Sequence, residues 1–328
     1  MTLRFAHELH VEDKLTKRNT RVILMATPEF GVPTLRAVVS EGYHVVGVVC
    51  QPDKPAGRGM QMSAPPVKRA ALPLGLPVYQ WASLRQPEAL ETMAGLRADL
   101  ILVAAYGQYI PDEVVALPPR RCLNLHPSLL PRHRGASPVA AAILAGDAET
   151  GVTVLFVTAE MDAGDVLAQE RTPIGPEETT GTLTARLAQW GAGAYMRTVD
   201  RWLRGEIVPW KQDANQSTWC DRLTKEQGRV DWHRPAVELA RQVRAFDPWP
   251  GTFTEWQSAT LNVLKAAALP DWRGDIAAGT VLKCDGALLV ATGQGALRLE
   301  SVQLANRRAL DAMTFANGAR GFVGSVLG

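Results

Sequence analysis

The strongest constraint on the fold is a β-α-β pattern near the start of the chain. Residues 21–26 (RVILMA) and 44–50 (HVVGVVC) are continuous apolar runs rich in β-branched side chains, which is typical of strands buried on both faces. Between them, Thr27, Pro28 and Glu29 favour the first turn of a helix, and Gly42 favours its end. Two strands joined by one helix run parallel, with a right-handed crossover. The sequence therefore predicts an α/β fold built on a mostly parallel sheet.

Three later apolar runs extend this sheet, and the pattern changes after residue 209. Residues 99–106 (DLILVAAY), 122–126 (CLNLH) and 151–157 (GVTVLFV) are predicted strands. Beyond residue 209, short apolar runs recur about every ten residues between turn signals, which indicates a small β-barrel or sandwich. The first strand-helix turn (ATPEFG) lacks the G-x-G-x-x-G fingerprint, so a nicotinamide or flavin cofactor bound in that way is disfavoured. We place the domain boundary near residues 205–216.

Composition and charge narrow the functional class. The chain of 328 residues is 46% hydrophobic and 21% charged, which is typical of a folded globular protein. Its four cysteines form no C-x-x-C pair and its six histidines show no paired spacing, so we expect no metal. No apolar run approaches the length of a membrane span, and residues 1–20 lack the apolar core of a secretory signal. We therefore expect a cytoplasmic protein with an N-terminal extension and no membrane partner.

Asn124 and His126 are the candidate catalytic pair. They lie two residues apart in a predicted strand, so their side chains project from the same face near its carboxyl end. An amide donor beside a titratable ring suits acyl transfer, because the developing oxyanion needs preorganised donors. Asp162, in a polar turn after the next strand, is the best candidate for a carboxylate at the same sheet edge. The set contains no Ser or Cys nucleophile, which favours direct attack by a substrate amine or water, and a buried structural histidine is the alternative.

Two other stretches are candidate binding regions. Residues 104–111 (AAYGQYIP) follow a predicted strand, and ligands of α/β proteins bind at the carboxyl ends of parallel strands. Residues 51–68 are rich in proline and glycine and predict a long loop. Arg58 lies between two glycines there, and its exposed guanidinium would suit a phosphate or a base edge. An ordinary solvated loop is the alternative.

Residues 123–135 (LNLHPSLLPRHRG), followed by the aspartate of EMDAGD 36 residues after His126, resemble the folate-dependent formyltransferases. Within that family, MATPEF, QPDKPAGRG, VAAYGQYIP and RAFDPWP are similar, in order and spacing, to the enzymes that act on initiator methionyl-tRNA. The resemblance covers the chain from about residue 21 to its end. It implies a Rossmann-like catalytic domain over residues 21–207, a linker over 208–216 and an OB-like tRNA-binding domain over 217–328, after an extension of residues 1–20.

The same resemblance implies a reaction and a role for each site residue. The formyl group of 10-formyltetrahydrofolate passes to the α-amine of methionine on the initiator tRNA, and we expect the enzyme to act as a monomer. Asn124 would hydrogen-bond the formyl oxygen, His126 would stabilise the oxyanion as imidazolium, and Asp162 would sustain that charge and order a proton-relaying water. Arg58 matches the family's loop that reaches the tRNA acceptor end. The implied folate-binding residues are Ser128, Leu129, Leu130, Pro131, Tyr106, Gly107, Gln108 and Ile110.

The chain departs from the family pattern at few positions. Met60, Gln61 and Met62 stand where relatives often carry lysines, which removes phosphate-binding charge from the Arg58 loop. Pro127 replaces a glycine that is common in bacterial relatives. Two alternative functions remain at this point: a formyltransferase acting on a nucleotide sugar or small amine, and a nucleic-acid-binding protein without catalytic activity.

Overall fold

The structure, a computed structural model, describes residues 16–56 and 60–328. Most of the predicted N-terminal extension and Arg58 lie outside these residues. The strands of the first part are β1 (Arg21–Ala26), β2 (His44–Val49), β3 (Lys54–Ala56), β4 (Gln61–Ser63), β5 (Val78–Tyr79), β6 (Leu100–Ala104), β7 (Cys122–His126), β8 (Arg134–Gly135), β9 (Glu149–Phe156) and β10 (Val166–Pro173). The helices are α1 (Gly31–Ser40), α2 (Pro66–Ala71), α3 (Pro87–Gly95), α4 (Asp112–Val115), α5 (Pro138–Ala145) and α6 (Thr180–Leu203).

The first part is built on one seven-stranded sheet. Its strand order is β10-β9-β7-β6-β1-β2-β5. The five strands from β7 to β5 are parallel, whereas β9 pairs antiparallel with β7 and β10 antiparallel with β9. The prediction of an α/β fold with a mostly parallel sheet is confirmed.

Side-chain alternation explains why the central strands are apolar throughout. Val22 and Leu24 of β1 pack into the core that includes side chains of α1 and α6. Ile23 and Met25 point to the opposite face, where side chains of α3 and α4 cover them. Since helices cover both faces, neither set of alternate positions can be polar. This burial produced the uninterrupted runs from which the strands were predicted.

Two local predictions were wrong. The first helix begins at Gly31 with Phe30 at its cap position, so Thr27 is not the N-cap. The hydroxyl of Thr27 instead donates to the carbonyl of Tyr106 at 2.7 Å and accepts from the backbone N–H of Gln51 at 3.2 Å. These bonds tie together the carboxyl ends of three neighbouring strands. The proline-rich stretch after residue 51 is also more than a loop, because β3 and β4 pair as a short antiparallel hairpin.

The C-terminal part is an antiparallel sheet with a helix packed against it. Strands β12 to β16 form the order β12-β13-β16-β15-β14, and a short β17 pairs with β16. The last residues of the chain bridge the two edge strands, since Gly328 bonds Glu255 of β12 and Ser325 bonds Val281 of β14. The prediction of a small, barrel-like β domain is confirmed. The elements are β11 (Trp219–Cys220), α7 (Ala236–Ala245), β12 (Thr252–Trp256), β13 (Ala259–Leu269), β14 (Val281–Cys284), β15 (Ala287–Ala291), β16 (Ala296–Leu304), β17 (Leu310–Asp311) and α8 (Ala312–Gly318).

The segment between the two parts is closely attached to the first. Its short strand β11 pairs in parallel with β8, which directly follows the β7 region. Trp210 exchanges two backbone hydrogen bonds with Val166, at 2.8 and 3.0 Å.

The remaining short elements are single 3-10 turns at Leu72–Leu74, Ala214–Gln216 and Glu226–Gly228. Among the helices that the structure describes, none is both long enough and apolar enough to cross a membrane.

Candidate active site

Asn124 and His126 project from one face of β7, as predicted from their spacing. His126 is 4% exposed and Asn124 is half-buried. A buried tyrosine marks the point where β6 and β7 separate beside them. The Tyr195 hydroxyl donates to the carbonyl of Leu123 at 2.7 Å and accepts from the N–H of Val103 at 3.2 Å. Burial raises the pKa of Tyr195 well above its usual value, so the hydroxyl keeps its proton in this position.

The hydrogen-bond partners of His126 fix how its ring is oriented. Nε2 lies 2.9 Å from the carbonyl oxygen of His133, which can only accept, so Nε2 carries a hydrogen. Nδ1 lies 3.5 Å from Oδ2 of Asp162, another acceptor. The ring is therefore held between the carbonyl oxygen of His133 and the carboxylate of Asp162.

Asp162 reaches the pair by a different route from the one expected. Because β9 runs antiparallel to β7, Phe156 near its end lies opposite Leu123, at the start of β7 and away from His126. The turn after β9 then folds back over the face that carries Asn124 and His126. Asp162 adopts a left-handed backbone conformation in this turn, with φ of 54°. The expectation that the strand before Asp162 ends at the same sheet edge as β7 was therefore wrong.

The Asp162 carboxylate joins three elements of the site. Its Oδ2 accepts from the backbone N–H of Gly135 at 2.9 Å, in addition to facing His126. Its Oδ1 lies 3.4 Å from Nδ2 of Asn124, a long contact for a hydrogen bond. The side chain of Asp162 is 10% exposed. The structure thus brings the three predicted catalytic side chains together, and their roles remain predictions.

This arrangement can stabilise negative charge on a carbonyl oxygen. The Asn124 amide has two N–H groups, and only one can point at Asp162. The other can therefore donate to a substrate oxygen. The ring of His126 beside it can stabilise negative charge in the same region. Asp162 holds the ring and can accept a proton through water. These properties are those that acyl transfer to an amine requires.

The predicted folate-binding residues 128–131 form a tight turn with mostly internal contacts. The Ser128 hydroxyl is buried and donates to the carbonyl of Arg132 at 2.8 Å. Thr153 holds the turn from below, because its hydroxyl donates to the carbonyl of Ser128 at 2.7 Å and accepts from the N–H of Leu130 at 3.2 Å. Pro131 follows a cis peptide bond and is half-buried, as is Leu129. A ligand would therefore meet the backbone and apolar atoms of this turn more readily than the Ser128 hydroxyl.

The second predicted folate-binding stretch has a buried and an exposed portion. The Tyr106 side chain is 2% exposed and belongs to the core, and its hydroxyl donates to Gln108 Oε1 at 3.1 Å. Gly107 has φ of 81° and lies against Gln51, where a Cβ would be 2.6 Å from Nε2 of that side chain. Gln108 and Ile110 are half-buried. A shallow cavity of about 290 Å³ opens beside Gln108 and is lined by Ala82, Ser83, Arg85, Gln108 and Tyr109.

Several supporting residues were not predicted from the sequence. The Gly135 N–H and the His133 carbonyl both contact predicted catalytic side chains, although both belong to the RHRG stretch that was quoted for the resemblance. Gln212 also contacts this region, through the carbonyls of Asp162 and Gly164 at 2.7 and 2.9 Å. Nothing in the sequence near Gln212 indicated this long-range contact. Arg58, the predicted tRNA contact, lies outside the described residues.

Comparison with known proteins assigns the family. The sequence model of the formyl transferase domain matches residues 19–199, and that of the formyl transferase C-terminal domain matches residues 222–320. The chain belongs to the formyl transferase family. The formyl transferase is 47% identical over 309 residues to the methionyl-tRNA formyltransferase of Roseiflexus castenholzii, covering 94% of this chain and 99% of the relative. It is 44% identical to the protein of the same name from Thiobacillus denitrificans, with the same shares covered.

Solved structures with low sequence identity share the fold of this formyl transferase. WlaRD, a sugar 3N-formyl transferase, matches with a TM-score of 0.66 and 15% identity, over 88% of this chain and 99% of its own. HypX from Aquifex aeolicus, solved in complex with tetrahydrofolic acid, matches with a TM-score of 0.59 and 20% identity, over 93% of this chain and 48% of its own. At such identities, the likeness bears on the fold alone.

Proposed function

We propose that this formyl transferase moves the formyl group of 10-formyltetrahydrofolate to the α-amine of methionine on charged initiator tRNA. The observation that carries the proposal is the contact of Asp162 with both Asn124 and His126, on a chain that resembles methionyl-tRNA formyltransferases over 94% of its length. The presence of the barrel-like C-terminal domain supports a large acceptor, since such barrels are common nucleic-acid-binding folds. The reaction would take place in the cytoplasm, where initiator tRNA is charged.

The residues of the site fit an N-formylated folate. Bound there, the folate would supply a formyl carbonyl to be attacked by an amine, and negative charge would develop on the formyl oxygen. The second N–H of Asn124 can donate to that oxygen, and a cationic His126 can stabilise its charge. The Asp162 carboxylate keeps His126 oriented through the 3.5 Å contact and can accept the amine proton through water. The cis-proline turn at residues 128–131 and the Gln108 region offer the apolar and amide surfaces that a pterin ring requires.

The direct test is formyl transfer with purified components. Protein, labelled 10-formyltetrahydrofolate and methionine-charged initiator tRNA are expected to yield labelled formyl-methionyl-tRNA at a rate that is proportional to enzyme. Uncharged tRNA and a nucleotide-linked amino sugar serve as control acceptors. Transfer to the amino sugar with none to the charged tRNA would favour the alternative acceptor class. No transfer to any acceptor, with tRNA binding retained, would favour a non-catalytic nucleic-acid-binding protein.

The tRNA part of the proposal has its own test at the Arg58 loop. Arg58→Ala is expected to lower kcat/KM for charged tRNA while leaving KM for the folate unchanged, because a phosphate or base contact would be lost. Arg36→Ala, at an exposed position on α1, is the matched control. Binding of tRNA should also weaken as salt rises, since neutralising phosphates releases counterions. An unchanged kcat/KM in Arg58→Ala would remove this residue from the tRNA site.

We further propose that the enzyme acts as a monomer. This proposal is supported by the presence of the predicted catalytic side chains and the C-terminal domain in the same chain. Light scattering after gel filtration is expected to give the mass of one chain, 35.6 kDa. A stable dimer whose dissociation abolishes activity would contradict this.

A further inference from the structure

We propose that Gln212, in the segment between the two domains, is a positioning residue that holds the turn carrying Asp162 in place for formyl transfer. This inference rests on the proposed function. Gln212 lies between residues 199 and 222, and so outside both matched family regions. With this role, the segment would do more than connect a catalytic domain to a tRNA-binding domain.

The Gln212 amide uses all of its hydrogen-bonding capacity at the edge of the site. Its Nε2 donates to the carbonyls of Asp162 and Gly164, at 2.7 and 2.9 Å. Its Oε1 accepts from Nε and Nη2 of Arg134, at 3.1 and 2.8 Å. A primary amide has two N–H donors and two acceptor lone pairs, so every position is filled. No other side chain of the described residues donates to either of those two carbonyls.

The turn that Gln212 holds needs such support. Asp162 has φ of 54°, a left-handed conformation that costs an L residue about 1 kcal/mol. Gly164 packs so closely that a Cβ would lie 2.0 Å from the carbonyl oxygen of Phe156. Short hydrogen bonds to the carbonyls on either side of Ala163 restrain this conformation. Without them, the carboxylate of Asp162 could move relative to His126 and Asn124.

Gln212 also restrains Arg134, the neighbour of the Gly135 whose N–H contacts the Asp162 carboxylate. The Arg134 side chain is 9% exposed and reaches Glu160 at 3.2 Å as well as Gln212. Its neighbour Gly135 donates the 2.9 Å hydrogen bond to the Asp162 carboxylate. One amide therefore connects the backbone that carries the carboxylate with the strand that supplies its N–H donor.

The backbone of the same segment prevents Gln212 from moving away. Trp210 exchanges two hydrogen bonds with Val166, immediately after the Asp162 turn. On the other side, Thr218 accepts from the N–H of Arg134 at 2.9 Å, and Trp219 pairs with Arg134 in the β8–β11 ladder. Gln212 thus lies between two points at which the segment is hydrogen-bonded to the first domain.

The test is a kinetic double-mutant cycle between Gln212 and Asp162. Gln212→Ala is expected to lower kcat about 10- to 100-fold with KM for both substrates within about 3-fold, because displacing a catalytic group by an ångström costs rate rather than affinity. Gln212→Glu keeps an acceptor for Arg134 but loses the two donors, so it should lose a similar factor. Gln216→Ala, in the same segment, is the matched control, since its amide contacts only the exposed Asp213 among the described residues.

The cycle distinguishes positioning from general destabilisation. In an Asp162→Ala background, Gln212→Ala should have no further effect, because a residue that acts through Asp162 has nothing left to position. An equal loss in both backgrounds, or wild-type kcat in Gln212→Ala and Gln212→Glu, would overturn the proposal. A wild-type-like Gln212→Glu beside an impaired Gln212→Ala would assign the effect to Arg134 and also overturn it.

A measurement without substrate separates this inference from the proposed function. Hydrogen exchange of residues 160–165 should quicken in Gln212→Ala and stay at the wild-type rate in Gln216→Ala. If the wild-type enzyme fails to formylate charged tRNA, the proposed function fails, yet this exchange difference still tests the positioning role. Unchanged exchange in Gln212→Ala would overturn it.

Discussion

Thr153→Val is expected to destabilise the protein by about 1–5 kcal/mol with little change in side-chain volume. The side chain of Thr153 is fully buried. Its hydroxyl donates to the Ser128 carbonyl at 2.7 Å and accepts from the Leu130 N–H at 3.2 Å and from Gln169 Nε2 at 3.0 Å. Gln169 keeps a second acceptor in the Leu130 carbonyl at 2.9 Å, so the substitution leaves two backbone groups without a partner.

The magnitude follows from those two groups. A buried donor or acceptor left unsatisfied costs about 1–3 kcal/mol, which gives about 2–6 kcal/mol for the pair. The extra methyl group of valine returns about 1 kcal/mol through apolar burial. Because Thr153 supports the turn at residues 128–131, we also expect KM for 10-formyltetrahydrofolate to rise.

Thr150 offers a matched control on the same strand. It is 2% exposed, and its hydroxyl has no hydrogen-bond partner among the described residues. Thr150→Val removes an unsatisfied hydroxyl and is therefore expected to be neutral or to stabilise by up to about 1 kcal/mol. Urea unfolding followed by tryptophan fluorescence compares both variants with wild type. Equal stability of Thr153→Val and Thr150→Val would refute the argument that the Thr153 hydroxyl supports the turn.

Three further predictions concern other buried or paired side chains. Tyr195→Phe removes the hydroxyl that partners Leu123 and Val103 and should cost about 2–4 kcal/mol in urea unfolding, whereas a cost below about 0.5 kcal/mol would show that β6 and β7 pair without it. Burial raises the pKa of Cys50 to about 11 and that of Cys122 still further, so iodoacetamide at pH 8 should modify neither until urea unfolds the protein; alkylation of the native protein, detected by mass spectrometry, would contradict their burial. Hydrogen bonding from Arg186 lowers the pKa of Glu178, so this pair stabilises above the unfolded carboxyl pKa of about 4.3, and its contribution is lost as pH falls through the lower folded value. Glu178→Gln should therefore be less stable than wild type at pH 7 and approach it as pH falls through the lowered folded pKa of Glu178 in thermal unfolding, and a difference that does not change with pH would contradict the linkage.

Burial accounts for what the sequence predicted about the fold. Strands β1, β2, β6 and β7 were predicted because helices cover both sheet faces, which leaves continuous apolar runs. The Asn124 and His126 pair was found because strand side chains alternate with period two, which fixes that both point the same way. These are local properties, and a single sequence displays them directly.

Long-range geometry accounts for what the sequence did not predict. The apolar pattern does not show in which direction β9 pairs with β7, so the predicted route of Asp162 into the site was wrong. Threonine is a common N-cap residue, but the hydroxyl of Thr27 donates to the carbonyl of Tyr106 instead. The contacts of Gln212 could not be predicted, since its partners lie about 50 residues or more away along the chain.

The contact of His126 with Asp162 is central to the proposed chemistry, and single-turnover kinetics tests it most directly. With 10-formyltetrahydrofolate and methionine-charged initiator tRNA in excess of KM, His126→Ala and Asp162→Ala should each slow formyl transfer by at least about 100-fold, as expected when a group that stabilises the oxyanion is removed. The double variant should be no slower than the slower single one, because residues that act as a unit are not additive. Near-normal transfer by His126→Ala, or losses that multiply in the double variant, would contradict the account.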